Sequence, residues 1–426
     1  MFCYQCSQTP ETGCTKVGVC GKNEDLAGLQ DILVFGLKGI AAYAYHSREL
    51  GYIDPEVDGF MHEALFSTLT NVDFDLQRMV GMALRCGGMN LKALAMLNKA
   101  NTERFGDPQP TAVSTGTRKG RGILVTGHDL LDLYELLRQT EGKGINVYTH
   151  GEMLPAHAYP LLKKFGHLAG NRGGSWRKQK EEFAAFPGAV LATTNCVLMP
   201  KESYRDRLFT CGIAGVEGVT HIEKRDFTPV IERSLSTSEL PDEEGGAVTT
   251  GFHYKAVLGL ADKVVGAVKA GKIRRFFLVG GCDGPYRTMP YYREFVRMAP
   301  EDCVILTLGC GKYRFNDLDL GSIEGIPRLL DIGQCNDSYS AIRIAAALAG
   351  AFETSVNGLP LSVVLSWFEQ KAVAILLTLL HLDIKNIYVG PRPPAFVTPG
   401  VLKVLRDNFG LKLIGDPAED LAAMLG

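Results

Sequence analysis

The chain has 426 residues, 46% hydrophobic and 22% charged, with a formal net charge of −2 at pH 7. That length and composition suit an ordinary globular protein of two or three domains, and the absence of a basic run gives nucleic acid no electrostatic footprint. The longest apolar stretch, Ala372 to Leu382, falls short of a membrane span, and Met1-Phe2-Cys3-Tyr4-Gln5-Cys6 has neither the basic start nor the apolar run of a signal peptide, so a cytoplasmic protein without a membrane partner is expected.

The chain opens on cysteines. Of eleven, four fall in the first twenty residues: Cys3, Cys6, Cys14 and Cys20, in the pattern C-x2-C-x7-C-x5-C. An odd count in a reducing compartment argues against a disulfide framework. Cys3 and Cys6 converge from one tight turn, and Gly13, Gly18 and Gly21 let the chain wrap two more thiolates round the same centre. Four thiolates suit either structural zinc or an iron–sulfur cluster. Zinc sites more often use two C-x2-C knuckles, and only one is present, so the spacing favours the cluster.

From about Glu24 to Asn101 apolar residues recur at three- and four-residue spacing. One helix ends at Gly51, a second opens at Pro55, and a third is a candidate for a break at Gly87-Gly88, which together suggest a small three-helix bundle. Residues 102–121 read as a linker. Short apolar strands then alternate with helices: 122–127, 145–150, 189–195 and a strand near Cys211, then, after a charged Gly-rich loop from Pro241 to Gly251, strands at 274–281, 304–309, 328–333 and 386–390. The segment LSVVLSWFEQKAVAILLTLLHL reads as one helix, apolar almost all round. The expectation is a multidomain α/β chain: an N-terminal loop and bundle in 1–110, then Rossmann-like α/β domains with mainly parallel sheets in 111–255 and 256–426. No internal repeat aligns.

The strand ends carry the chemistry. His128 follows the first strand, Glu152 the second and Cys196 the third, while Cys282, Cys310 and Cys335 follow three strands of the last domain. In open α/β sheets ligands bind at that edge. A lone histidine there is more often a cap, but Asp129 is the more natural helix N-cap and leaves His128 to the crevice. A lone cysteine is usually a small buried hydrophobe, and Cys86, Cys303 and, less clearly, Cys211 are assigned that way. Three more recurring at one topological point need another reason. Glu369 is a seventh candidate, because a carboxylate in an apolar helix is costly unless paired or coordinated, and Lys371 at i+2 is badly placed to pair with it. There is no G-x-G-x-x-G after the first strand, no P-loop and no G-x-S-x-G elbow.

Together these segments (MFCYQCSQT, VTGHDL, NVYTHGEMLPAH, TTNCVLMP, GGCDGPY, LGCGKYRFN, DIGQCNDSYSA and SWFEQKAV) resemble the hybrid cluster protein, or prismane, family, commonly known as hydroxylamine reductases. The resemblance implies a [4Fe-4S] cluster on Cys3, Cys6, Cys14 and Cys20, with the family's anaerobe-type spacing. It implies a hybrid [4Fe-2O-2S] cluster on His128, Glu152, Cys196, Cys282, Cys310, Cys335 and Glu369, with Cys282 at the family's persulfide position. The chain resembles the short class, which lacks a second helical stretch. The implied activity is two-electron reduction of hydroxylamine, with electrons arriving from a ferredoxin or a reductase through the N-terminal cluster. Glu152, Glu369 and Lys371 are the candidate proton donors, and His128, Glu152 and Glu369 are harder, more exchangeable ligands than thiolate. Rival readings are nitric oxide reduction to nitrous oxide in nitrosative-stress defence, a redox sensor or protein S-nitrosylating factor, and a nickel carbon monoxide dehydrogenase.

Overall fold

The computed structural model describes residues 2–426. Three helices open the chain: α1 (Glu24–Glu49), α2 (Pro55–Ser67) and α3 (Leu76–Phe105). Asn23 caps α1 by accepting from Leu26 N, and Asp54 caps α2 ahead of Pro55. By length and composition α1 could cross a membrane, but 67% of its most apolar window is buried, as in a core helix. The third helix is not broken at Gly87-Gly88. Those glycines mark a close crossing with the helix Gln370–His381: a Cβ on Gly87 would fall on the Leu377 carbonyl, and one on Gly88 would meet the His381 ring at 2.8 Å. Asn90 Nδ2 donates to Thr378 Oγ1 at 2.9 Å across the same contact. Gly36 and Gly39 of α1 likewise face Leu377 and Ala374. The N-terminal bundle therefore takes its fourth helix from the C-terminal region.

Two six-stranded sheets follow. In space the first runs Leu168–Asn171, Ile145–His150, Arg121–Thr126, Ala189–Ala192, Leu208–Cys211, Thr220–Ile222, all parallel. Numbered by sequence that is 3-2-1-4-5-6, the doubly wound order, with its switch point between the first and fourth strands. Its central strands are buried on both faces, Val147, Leu124 and Val190 being fully inaccessible, and Leu124, Tyr148, Phe183, Phe186, Tyr204 and Leu208 form the core of one face. The second sheet runs Leu329–Gly333, Cys303–Leu308, Arg275–Gly281, Leu361–Ser366, Tyr388–Gly390, Lys412–Leu413, which is the same order again once the small hairpin Ser322–Ile323/Ile326–Pro327 is set aside. No repeat aligns in sequence, yet the winding repeats.

Three expectations change. The linker and the charged loop are not unstructured: Thr111–Ser114 pairs antiparallel with Ala247–Thr250, so each supplies the other's backbone partners. The segment read as one apolar helix is a strand, Leu361–Ser366, a break, and then the helix Gln370–His381; its first part is β-branched and buried, which periodicity alone does not separate from a buried helix. Glu369 is the N-cap of that helix, in extended conformation, and not an interior residue.

The chain forms two compact units, one of residues 1–100, 275–278 and 348–426, the other of 101–274 and 279–347. These are not the consecutive segments 1–110, 111–255 and 256–426. The packing of Gln370–His381 into the N-terminal bundle is the reason the end of the chain groups with its beginning.

Candidate metal centres

The N-terminal cysteine loop is built on one backbone bridge. Cys14 N donates to Cys3 O at 2.7 Å and Phe2 N to Cys14 O at 2.8 Å, so two of the four cysteines lie opposite each other on antiparallel segments. Both are buried, while Cys6 and Cys20 are half-buried. The Thr9 hydroxyl, 3.4 Å from Cys6 Sγ, and then the Gln8 backbone hold the Cys6 thiol below its ordinary value. Cys20 Sγ lies 4.0 Å from Thr70 O, on the loop after α2.

In the second unit each strand-end candidate sits where the strand delivers it. Gly127, Gly151, Gly281 and Gly309 precede His128, Glu152, Cys282 and Cys310, all with positive φ (113°, 59°, 114° and 76°). At Gly309 the requirement is also steric, since a Cβ there would press on Gly281 O at 2.5 Å. The ends of two neighbouring strands can thus approach just before their cysteines. Cys196 has no preceding glycine and itself adopts φ 69°, an uncommon conformation of the kind that clusters at functional sites.

His128 Nε2, Glu152 and Cys335 Sγ bring one ligand atom each within 4.8 Å of one another. Thr194 Oγ1 engages His128 Nδ1 at 2.7 Å, which fixes the ring and directs Nε2 toward Glu152 Oε2, 4.0 Å away. Cys335 N donates to Glu152 Oε2 at 2.8 Å. The buried Gln334 ties the three loops together: its Nε2 donates to His128 O at 3.1 Å and to Glu152 O at 2.7 Å. Cys310 lies within electrostatic reach of Glu152, Cys196 and Cys282. Burial first, then the charges of Glu152, Cys196 and Cys282, push its thiol well above the ordinary range. Cys282 is followed by buried Asp283, which accepts from Ser175 Oγ, from Arg314 Nε at 2.6 Å and, through its backbone oxygen, from Trp176 Nε1 at 3.1 Å. Tyr313 OH donates to Gly151 O at 2.7 Å.

This donor set fits a metal cluster. The Cys310 thiol, which burial and then the neighbouring Glu152 and Cys196 charges push up, holds its proton unless a cation takes its place. Sulfur, imidazole and carboxylate together suit iron–sulfur coordination with some harder, oxygen-like character.

Glu369 lies in the other compact unit, three residues past the strand Leu361–Ser366. Its extended N-cap conformation brings its carboxylate 4.0 Å from the ammonium of buried Lys371, a pairing that helical i,i+2 geometry had argued against. All seven candidates therefore follow parallel strands: the first, second and fourth of one sheet, and the first four of the other.

The three other cysteines pack. Cys86 and Cys303 are fully buried, and burial pushes their thiols up to about 12 and about 11. Cys211 donates to Asp132 Oδ2 at 3.3 Å beside an Arg225–Asp132 ion pair. Asp129 caps its helix by accepting from Leu131 N and Asp132 N. Gln334, Thr194, Asp283 and Tyr313 were not singled out from sequence. Their signal is position, since each lies within three residues of a candidate ligand.

The chain matches the Prismane/CO dehydrogenase family over residues 1–80 and 50–422. It is 69% identical over the full length of both chains to a protein of Moorella thermoacetica named hydroxylamine reductase. To one of that name from Thermotoga maritima it is 57% identical, over 100% of this chain and 99% of the relative. A longer relative from Solidesulfovibrio magneticus, also so named, is 56% identical over 95% of this chain and 75% of its own. Among solved structures, carbon monoxide dehydrogenase IV from Carboxydothermus hydrogenoformans superposes with a TM-score of 0.80 at 16% identity, over 99% of this chain and 91% of that one, a likeness of fold. The matching residues run from the cysteine loop through both sheets and the helix that ends the bundle, and the chain belongs to the Prismane/CO dehydrogenase family.

Proposed function

We propose that the chain is an iron–sulfur oxidoreductase that reduces hydroxylamine, NH2OH + 2e− + 2H+ → NH3 + H2O. The observation that carries this reading is 69% identity along the whole of a relative named hydroxylamine reductase. Cys3, Cys6, Cys14 and Cys20 would hold a [4Fe-4S] cluster as electron inlet. His128, Glu152, Cys196, Cys282, Cys310, Cys335 and Glu369 would hold the hybrid [4Fe-2O-2S] cluster, with Cys282 as a persulfide. When bound, that cluster supplies redox-active iron with an exchangeable position for a small nitrogen–oxygen molecule.

The chain's own residues do the rest. Thr194 and Gln334 keep His128 and Glu152 in orientation. The two protons the reaction consumes come from Glu152, Glu369 and Lys371, the last pair already within 4.0 Å of each other. Electrons arrive singly from a ferredoxin or a reductase, and the protein works in the cytoplasm.

The test is anaerobic turnover of the reduced protein with hydroxylamine and with nitric oxide, alongside metal and sulfide analysis and EPR spectroscopy. Iron without nickel and rapid ammonia formation are expected. Rapid nitric oxide consumption beside negligible hydroxylamine turnover would replace the substrate, stable protein complexes without turnover would favour a sensor, and stoichiometric nickel would refute the hybrid cluster. Glu369→Ala is expected to erase the second cluster's signal and spare the first; loss of neither removes Glu369 from the ligand set.

A further inference from the structure

Lys22 is 2% exposed. Lysine is among the residues least often buried, because its ammonium must trade water for partners inside the protein. Here the partners are unusual. Nζ donates to Gln30 Oε1 at 2.7 Å and lies 3.8 Å from Cys3 Sγ. Among the described residues no carboxylate comes within ion-pair distance of it, whereas the other fully buried lysine, Lys312, pairs with Asp331 at 2.6 Å.

The surroundings hold Lys22 in this position. Its carbonyl accepts from Gly18 N at 2.8 Å, which ties its backbone into the cysteine loop. Gln30, on the first turns of α1, gives its oxygen to the ammonium while its own Nε2 is buried without a hydrogen-bond partner. A buried polar atom left unmatched is a cost the fold accepts in order to aim the ammonium at the cysteine loop.

Among the described residues this positive charge has no directly paired carboxylate beside the Cys3 sulfur, and half-buried Asp31 acts on it only at longer range. Four thiolates holding an iron–sulfur cluster would supply the negative charge. We infer that Lys22 is a positioning residue that sets the reduction potential of the N-terminal cluster, with its ammonium acting on Cys3 Sγ and its placement fixed by Gln30. This rests on the proposed cluster at Cys3, Cys6, Cys14 and Cys20. Gaining one electron makes the cluster more negative, so a nearby cation stabilises the reduced form more than the oxidised one and raises the potential. An inlet tuned upward in this way accepts electrons from donors that would otherwise be too weak.

The experiment is a redox titration of the holoprotein with dithionite under anaerobic conditions, followed by EPR, for wild type, Lys22→Met, Lys22→Gln and Lys22→Arg. Iron and sulfide in the wild type test the cluster reading by itself; without iron on the N-terminal cysteines, the failure lies there and not with Lys22. Given the cluster, both neutral variants are expected to titrate at more negative potential. The reduced-to-oxidised ratio at the wild-type midpoint should fall about tenfold or more, the scale of one unit charge a few ångströms away at intermediate dielectric. Lys22→Arg should stay near wild type, and the second cluster's signals should not move. Loss of the N-terminal cluster in both neutral variants, with retention in Lys22→Arg, would equally support the charge. An unchanged midpoint in Lys22→Met and Lys22→Gln, or loss of the cluster in all three variants, would assign Lys22 to packing and overturn the inference.

Discussion

At the scale of single residues, burial decides which titratable groups carry charge. His157 is buried, with Nε2 3.0 Å from Thr149 Oγ1, and burial lowers its pKa from 6.5 to about 4. Because the folded value is depressed, the unfolded chain binds more protons between those two values, and stability is lost as pH falls through that window. His253 is lowered to about 4 for the same first cause and adds a parallel effect. Between pH 7 and pH 5 the His157 contribution amounts to about 2 kcal/mol. His157→Gln keeps a hydrogen-bonding group and removes this titration, so anaerobic thermal midpoints at the two pH values should lie closer together than in wild type; an equal gap would show that His157 does not control it. The residues that hold the ligands show how much was readable at this scale. His128 and Glu152 stood out because their types and positions after strands were unusual. Gln334 did not, because nothing in its type announces that its amide reaches two carbonyls from loops 182 and 206 residues distant.

At the scale of elements, the glycines of α3 separate close packing from mere conformational freedom. Gly81 has nothing within 4 Å of an added Cβ, so Gly81→Ala should stabilise the chain by about 0.5–1 kcal/mol through helix propensity. Gly87→Ala puts a methyl on the Leu377 carbonyl and should destabilise by about 1–3 kcal/mol, because helix backbones must separate to admit it. Chemical denaturation of the two variants checks both signs; a neutral Gly87→Ala would mean that the crossing yields easily. Gly87-Gly88 suggested a helix break because glycine has poor intrinsic propensity, and tertiary contact reversed that reading. The same limit applies to 361–381. A buried strand and a buried helix are both continuously apolar, so the short Trp367-Phe368-Glu369 break was the one local sign that two elements met there.

At the scale of the whole molecule, the bundle is not a product of the N-terminal hundred residues. The face of α1 that carries Gly36 and Gly39 packs on the helix Gln370–His381, and Gly28 lies against Phe396. A chain stopped after Ala347 should therefore leave that face exposed and lose the helical order of α1 to α3. Circular dichroism and one-dimensional NMR of the truncated chain check this, and a folded, monomeric bundle without residues 348–426 would contradict it. The sequence by itself determined the strand–helix alternation, the four-cysteine loop and the ligand-type residues past the strands, because side-chain periodicity and residue chemistry are local properties. Tertiary structure alone decided the rest: the doubly wound order of both sheets, the capture of a C-terminal helix by the N-terminal bundle, and the burial of Lys22 beside Cys3. Each depends on contacts between residues far apart in the chain, whose free energy no local pattern records.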